Sequence, residues 1–399
     1  MTKGPMRVII VGAGLAGLAI AHGLQKNNID FVIVDRETVP RDRNWCITMS
    51  WALPLLEKLL PATLFNTINL CQPDPTADSV EVGKYGITIR DGSTGDIRRR
   101  MQFPSIRRVN HKKTKKHLSQ GLSVQYGKRL VGITVNSKND DDDVTAHFHD
   151  GTAETGTIVI GADGGASQVR RWLLGDVGSQ EVLPCKFMNF SFSLPSELAL
   201  WLEKDLSPTV EVGAHPKNMY MGLSLLDKPD SAKPETWLFY ILASWAISSS
   251  TDSPNSSDQL AELRSRMDDW VDPFKIIVET IPDDTVIKHD ELRIWHTKPW
   301  NNHRGRVTLA GDAAHSMTFH RGQGGNLAIK DAYELVNQLT SVHKGEEERG
   351  VAIDRYDKGA LLRGEEVEIS RQCTMAFFDY KNIEKSPVFN MGLSPAMKF

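Results

Sequence analysis

The chain has 399 residues, 40% hydrophobic and 24% charged, with a formal net charge of −3. That length exceeds one ordinary core, so two domains, or one large α/β unit with an inserted sheet, are expected. The near-neutral balance gives no general attraction to nucleic acid or anionic lipid, and four scattered cysteines without a CxxC pair argue against zinc and a disulfide framework.

In chain order, "RVIIV" (7–11) is a continuous apolar run, the pattern of a strand buried on both faces. The turn "GAGLAG", a helix over 15–26 and a second strand "FVIVD" (31–35) follow. This layout reads as a folded βαβ start, not a secretion signal. No run of 18 apolar residues exists, so no membrane span is expected, and a cytoplasmic location fits the cysteine usage. Residues 50–61 read as helix, with Pro54 in its first turn, and 72–78 as a loop. Residues 80–103 suggest two strands across "RDGSTGD". A helix starts after Asn110, its N-cap. Several short strands fill 122–164, with Asp140–Asp143 as a hairpin tip. Three strand-like runs lie in 185–245, a polar loop at 248–258, and helical segments over 259–281. "RVTLAGDAAH" then ends a strand, and helices close the chain.

Nucleotide-type elements thus come at the start, near 160 and near 310, with a mostly β segment between the last two. The expected fold class is α/β: a Rossmann-like nucleotide domain, an inserted mostly β substrate domain and C-terminal helices. Its expected bounds are 1–180 (with a small β excursion near 75–103), 181–290 and 291–399.

Three motifs carry the chemistry. In the first, Gly12 makes the tight turn, Gly14 lets backbone approach a pyrophosphate, and Gly17 lets helix pack on strand, with Leu15 and Ala16 between. Asp35 ends the next strand, where a carboxylate can hold a ribose hydroxyl. The second motif, "TIVIGADGGASQVRR", ends a strand at Asp163-Gly164. The third, "GDAAHSMTFHRGQGGN", holds Gly311, Asp312, Gly322, Gly324, Gly325 and Asn326 ahead of an amphipathic helix. Strand, glycine-rich turn and helix is the layout of an anion site, because amides and the positive helix end face the turn.

GxGxxG, then GADG, then GDAAH with RGQGGN, in this order, resembles the class A flavoprotein monooxygenases: single-component FAD hydroxylases like those acting on salicylate, p-hydroxybenzoate and kynurenine. The resemblance spans nearly the whole chain. "RNWCITMSWALPLLEKLLP" and "RGEEVEISRQ" are similar to the fungal secondary-metabolite branch. The resemblance implies FAD as cofactor, NADPH or NADH as reductant and O₂ as co-substrate. A flavin C4a-hydroperoxide would then hydroxylate or epoxidise an aromatic or alkene, such as a polyketide or alkaloid. It places Gly12, Gly14 and Gly17 on the FAD pyrophosphate, Asp35 and Arg36 at the adenosine ribose, and Asp163 and Gly164 near FAD and NAD(P)H. Asp312 would face the ribityl chain, and Gly322 to Asn326 would lie under the isoalloxazine.

The family usually has a proline where this chain has Phe319, and arginines where it has His111 and Lys115; both positions are expected at FAD, with altered chemistry or simple repacking as the consequence. These departures motivate two rivals: an FAD oxidase or non-redox cyclase or isomerase, and a module that has lost flavin.

The remaining residues give less. Nine Lys or Arg fall within Arg98–His117, but Phe103 is the one aromatic there, which favours a solvated helix face over nucleic acid. No HxxxH, HExxH or GxSxG spacing occurs, so no metal and no serine triad are expected. Substrate contacts are expected from Phe319, His320, Tyr220, Tyr240, Trp237, Trp245 and His215. Arg293 or His215 is the candidate group to favour a phenolate.

Overall fold

The computed structural model describes residues 6–38, 44–77, 86–102, 106–136, 143–205, 210–247, 258–285 and 287–391. Most of the expected 248–258 loop and of the Asp140–Asp143 tip lies outside these residues.

Five parallel strands form the first sheet, in the order Val307–Leu309, Ile158–Gly161, Arg7–Val11, Asp30–Val34, Val124–Gln125. Val8 and Ile10 point to one face, into a core shared with the helices Leu15–Lys26 and Gly324–His343. Ile9 and Val11 point to the other, against the antiparallel strands Leu130–Val135, Val144–Phe148 and Ala153–Gly156. Burial on both faces is why these strands read as unbroken apolar runs. Register aligns their carboxyl ends: Val11 lies opposite Val34 and Gly161, and Gly161 opposite Leu309. Gly12, Asp35, Asp163 and Gly311 therefore emerge at one sheet edge, where ligands bind in doubly wound folds.

The second large sheet has seven strands, in the order Lys288–Asp290, Cys185–Ser193, Leu238–Ala246, Met219–Asp227, Val210–His215, Gly86–Asp91, Ile97–Gln102. Two sequence readings change here. The run 210–226 is two strands, reversed at Asn218 in the left-handed region (φ 59). The excursion near 75–103 supplies two edge strands of this sheet, Val210–His215 pairing parallel with Gly86–Asp91.

Side chains alternate across the seven strands. Met188, Phe190, Met221, Ile241 and Trp245 face the helices Gln259–Arg266 and Phe274–Thr280. Phe187, Val212, Ala214 and Tyr220 face the opposite way, against Phe319 and the C-terminal helix Glu365–Ala376. Asn110 caps the helix His111–Leu118, its side chain accepting from the Lys113 amide at 3.1 Å. The helix expected over 50–61 is shorter, Leu53–Leu59, with Pro54 in its first turn.

Candidate active site

The three glycine motifs touch one another. Gly12 has φ 113, and a Cβ there would lie 2.3 Å from the Ala162 carbonyl oxygen; a Cβ on Gly17 would lie 1.9 Å from that of Gly12. These two glycines are fixed by the protein's own packing. A Cβ on Gly14 would meet nothing within 4 Å, nor would one on Gly164. Gly311 packs on Ala16, and Gly325 on Ile47 and Leu15.

Asp35 accepts the Ala13 amide at 2.8 Å and the Glu37 amide at 2.9 Å. The Lys115 ammonium lies 2.6 Å from Glu37 and 3.6 Å from Asp35. Arg36 is exposed. The His111 ring stacks on Trp45 at 3.9 Å. Leu15, Ile47, His111, Thr114 and Lys115 line a small cavity beside the glycine turn.

Buried ionic groups set the third motif. Asp331 accepts the Gly311 amide at 2.6 Å, His315 Nε2 at 2.7 Å and Arg363 Nε at 2.6 Å. His315 is thus a packed motif residue. Arg170 joins the second motif to the third, donating to the carbonyls of Gly178, Asp312 and Ala313 at 2.8, 3.2 and 3.0 Å, with its guanidinium over Trp295. Asp163 is taken up locally, accepting the Ser167 hydroxyl and, at 2.6 Å, the Gln168 amide at the start of the next helix.

The Asp312 carboxylate differs from all of these. Among the described residues it accepts no hydrogen bond, and a Cβ on Gly324 would lie 3.7 Å from it. Its side chain is exposed, yet the protein crowded around it desolvates the carboxylate and raises its pKa, with His315 and Arg170 opposing. Gly324 and Gly325 open the 20-residue helix Gly324–His343. First-turn amides have no intrahelical acceptor. The loop before it is clamped: Arg321 is fully buried and forks onto Glu366, and Gln323 accepts the Trp51 indole at 3.0 Å. Asn326 accepts the Ser50 amide at 2.9 Å and donates to the Thr48 and Gly322 carbonyls at 3.0 Å.

Phe319 and His320 stack at 4.1 Å against the site face of the large sheet. Tyr220 meets His320 edge-on at 4.7 Å, and Phe187 and Phe377 complete the cluster. Burial drives the His320 pKa to about 3, so the ring is neutral. Its Nδ1 lies 2.9 Å from the Thr374 hydroxyl, which also reaches Thr318 and the Ser370 carbonyl, and among the described residues the buried Nε2 has no partner. Tyr240 shares the Tyr220 face, since Ser244, opposite Tyr220, is four residues on.

Four expected substrate contacts fall elsewhere. His215 is one residue out of phase with Ala214, so it points to the helical face and stacks on Trp270 at 4.8 Å. Trp237 and Trp245 pack in that same helical core. Arg293 is surface-exposed and paired with Glu291. In place of His215 and Arg293, the structure brings Arg108 to the site face. Its Nη2 donates to Ser224 at 2.7 Å and its Nη1 to Thr48 at 3.3 Å. Nothing in the cationic run 98–117 distinguishes Arg108 from its neighbours; strand pairing of Cys46–Met49 with Arg107–Asn110 does.

Residues 93–370 match the family described as FAD binding domain, and residues 10–41 match NAD(P)-binding Rossmann-like domain. The chain is 31% identical over 401 residues to FAD-dependent monooxygenase phnB of Penicillium herquei, covering 99% of this chain and 97% of that one. It is 33% identical to FAD-dependent monooxygenase cctM of Talaromyces islandicus, covering 97% and 96%. The chain belongs to the FAD-dependent monooxygenases. The fold of this monooxygenase is shared with Klebsiella pneumoniae HpxO, solved with FAD and uric acid, at a TM-score of 0.74 and 19% identity over 96% of this chain and 92% of that one. It is also shared with 2,6-dihydroxypyridine-3-hydroxylase from Arthrobacter nicotinovorans, at a TM-score of 0.70 and 17% identity over 100% and 95%. The motif resemblance is thus right about the family, and these curated relatives are fungal, as the 43–61 and 363–372 stretches imply. Among the described residues of this monooxygenase, no helix is long and apolar enough to cross a membrane, and no group of three His, Cys, Asp or Glu is placed to hold a metal.

Proposed function

We propose that this monooxygenase oxidises NADPH or NADH and inserts one atom of O₂ into an electron-rich aromatic ring or alkene of polyketide or alkaloid type, the other atom leaving as water. FAD, when bound, supplies electron transfer and oxygen activation; the chain supplies position, electrostatics and exclusion of water.

The observation that carries this reading is the Asp312 carboxylate, which has no donor among the described residues and lies beside the start of a long helix and three touching glycine motifs. A ribityl hydroxyl is the donor it would take. The rest of the donor set fits the same group. Amides at Gly14, Leu15 and Ala16 would hold the pyrophosphate, over a turn kept tight by Gly12 and Gly17. Asp35 keeps acceptor capacity for a ribose hydroxyl beyond its two amides. Arg36, His111 and Lys115 would frame the adenosine side, and Gly164 would border it beside the locally bonded Asp163. Gly311 would turn the chain at the ribityl group. Gly324, Gly325 and Asn326 would present N–H groups and the positive helix end to the electron-rich edge of the flavin ring, and Gly322, whose own N–H is held by the Phe319 carbonyl at 2.8 Å, turns the chain into that helix. Tyr220, Tyr240, Phe319 and His320 would wall the substrate, with Phe319 narrowing the approach of oxygen.

FAD-loaded protein given NADPH or NADH, ¹⁸O₂ and a panel of hydroxylated aromatics tests this. The expected product carries one ¹⁸O atom per nicotinamide oxidised. Turnover without nicotinamide, or product oxygen drawn from water, overturns the proposal.

A further inference from the structure

On the reading that this site oxygenates an aromatic, we propose that Arg108 anchors the substrate through an acidic hydroxyl bound as the phenolate. Arg108 is half-buried at the junction of the Cys46–Met49/Arg107–Asn110 ribbon and the site face of the large sheet. Its two hydrogen-bond partners, Thr48 and Ser224, are neutral hydroxyls. Its Nε is buried without a partner, and among the described residues it forms no ion pair. Asp227, the carboxylate that shares the Cys46 corner with Arg108, is neutralised by Lys113 at 2.5 Å. A half-buried guanidinium with no counter-charge among the described residues favours an anionic oxygen, for which its planar fork is shaped.

The surroundings fix which anion fits. Tyr220 leans along its strand over Gly222, where a Cβ would lie 2.6 Å from its hydroxyl oxygen. That direction leads to Ser224, the acceptor of Arg108, with Tyr240 opposite. Burial raises the Tyr220 pKa, so its hydroxyl remains a donor beside the cation. Aromatic walls from Phe319, His320 and Phe377 surround Tyr220. A flat ring carrying one anionic oxygen matches an apolar wall with a single cationic end. Thr48 ties this end to the cofactor motif, since its carbonyl accepts from Asn326. Ionising the hydroxyl raises electron density on the ring carbons ortho and para to it, which is what electrophilic oxygen transfer requires.

The probes are 4-nitrophenol, 2,4-dihydroxybenzaldehyde and methyl 2,4-dihydroxybenzoate, each against its O-methyl ether, titrated into FAD-loaded protein. The wild type is expected to prefer the phenols by about 10- to 150-fold, the span of one charge-assisted hydrogen bond. It is also expected to bind 4-nitrophenol with its phenolate band at a pH where the free probe is protonated. Arg108→Met should abolish the preference and the band while keeping FAD. Arg108→Lys, which keeps charge without the fork, should retain part of both and decides the matter if the Met variant does not fold. Equal affinity for phenols and ethers in the wild type, no phenol binding, or full preference in either variant without a guanidinium overturns the proposal. Bleaching of bound FAD by NADPH or NADH is read on the same samples. If it is intact, such a failure is that of Arg108 alone; if it is lost in the wild type, the monooxygenase reading fails first.

Discussion

Replacing Asp312 by alanine separates a cofactor contact from a structural one. The carboxylate has no hydrogen-bond partner among the described residues, while the carbonyl of the same residue is held by Arg170. Removing the side chain therefore breaks no described hydrogen bond of the protein. If it accepts from a ribityl hydroxyl, a charge-assisted bond worth about 1.5–3 kcal/mol is lost, weakening FAD by about 10- to 150-fold. The unliganded fold should respond in the opposite sense. Desolvation raises the Asp312 pKa, so the ionised form is less favourable folded than unfolded. Stability tied to that group falls as pH rises from the unfolded value of 3.8 towards the folded one. Asp312→Ala removes this cost, so the unliganded melting temperature at neutral pH should hold or rise. Quenching of flavin fluorescence gives the affinity, and thermal denaturation without FAD gives the fold. An FAD affinity within about twofold of wild type refutes the contact. A marked loss of unliganded stability refutes the claim that the carboxylate is free of structural work.

Three further perturbations follow from the same geometry. Glu366→Ala removes the carboxylate onto which the buried Arg321 guanidinium forks, so unfolding free energy should drop by about 3–5 kcal/mol in chemical denaturation; an unchanged midpoint would contradict the buried pair. Gly17→Ala drives a Cβ to 1.9 Å from the Gly12 carbonyl oxygen and should lower unliganded stability and FAD binding together, whereas Gly14→Ala meets no protein atom and should weaken FAD alone. Equal loss of unliganded stability in both would count against the assigned turn. Burial raises Asp357 to about 7, with hydrogen bonds from Thr308 and Asn302 opposing. Stability should therefore decline from pH 4 to pH 7 by at most about 1.4 kcal/mol per unit from this group, and Asp357→Asn should flatten the profile of melting temperature against pH.

The parallel sheet is legible because its strands are buried on both faces, which writes "RVIIV" and "FVIV" as unbroken runs. The glycine turns are legible because their spacing reflects contacts within the motif, such as Gly17 on Gly12. Which face of the large sheet a residue occupies is not written locally. The reversal at Asn218 turns one apparent run into two strands, and a one-residue phase difference sends His215 to Trp270 while Tyr220 meets His320. Contacts over long separations leave no pattern either: Arg321 meets Glu366 45 residues away, and Arg108 meets Ser224 116 residues away. Arg108 looks like any member of a basic run until strand pairing sets it against the sheet.

The most direct test of the account is the visible spectrum of the protein saturated with FAD, recorded without oxygen before and after NADPH or NADH, with and without an acidic phenol. The expected result is bound-flavin bands that bleach with nicotinamide and return when air is admitted. A protein that binds no flavin even at high FAD, or whose bound flavin resists both nucleotides with every phenol tried, would contradict it.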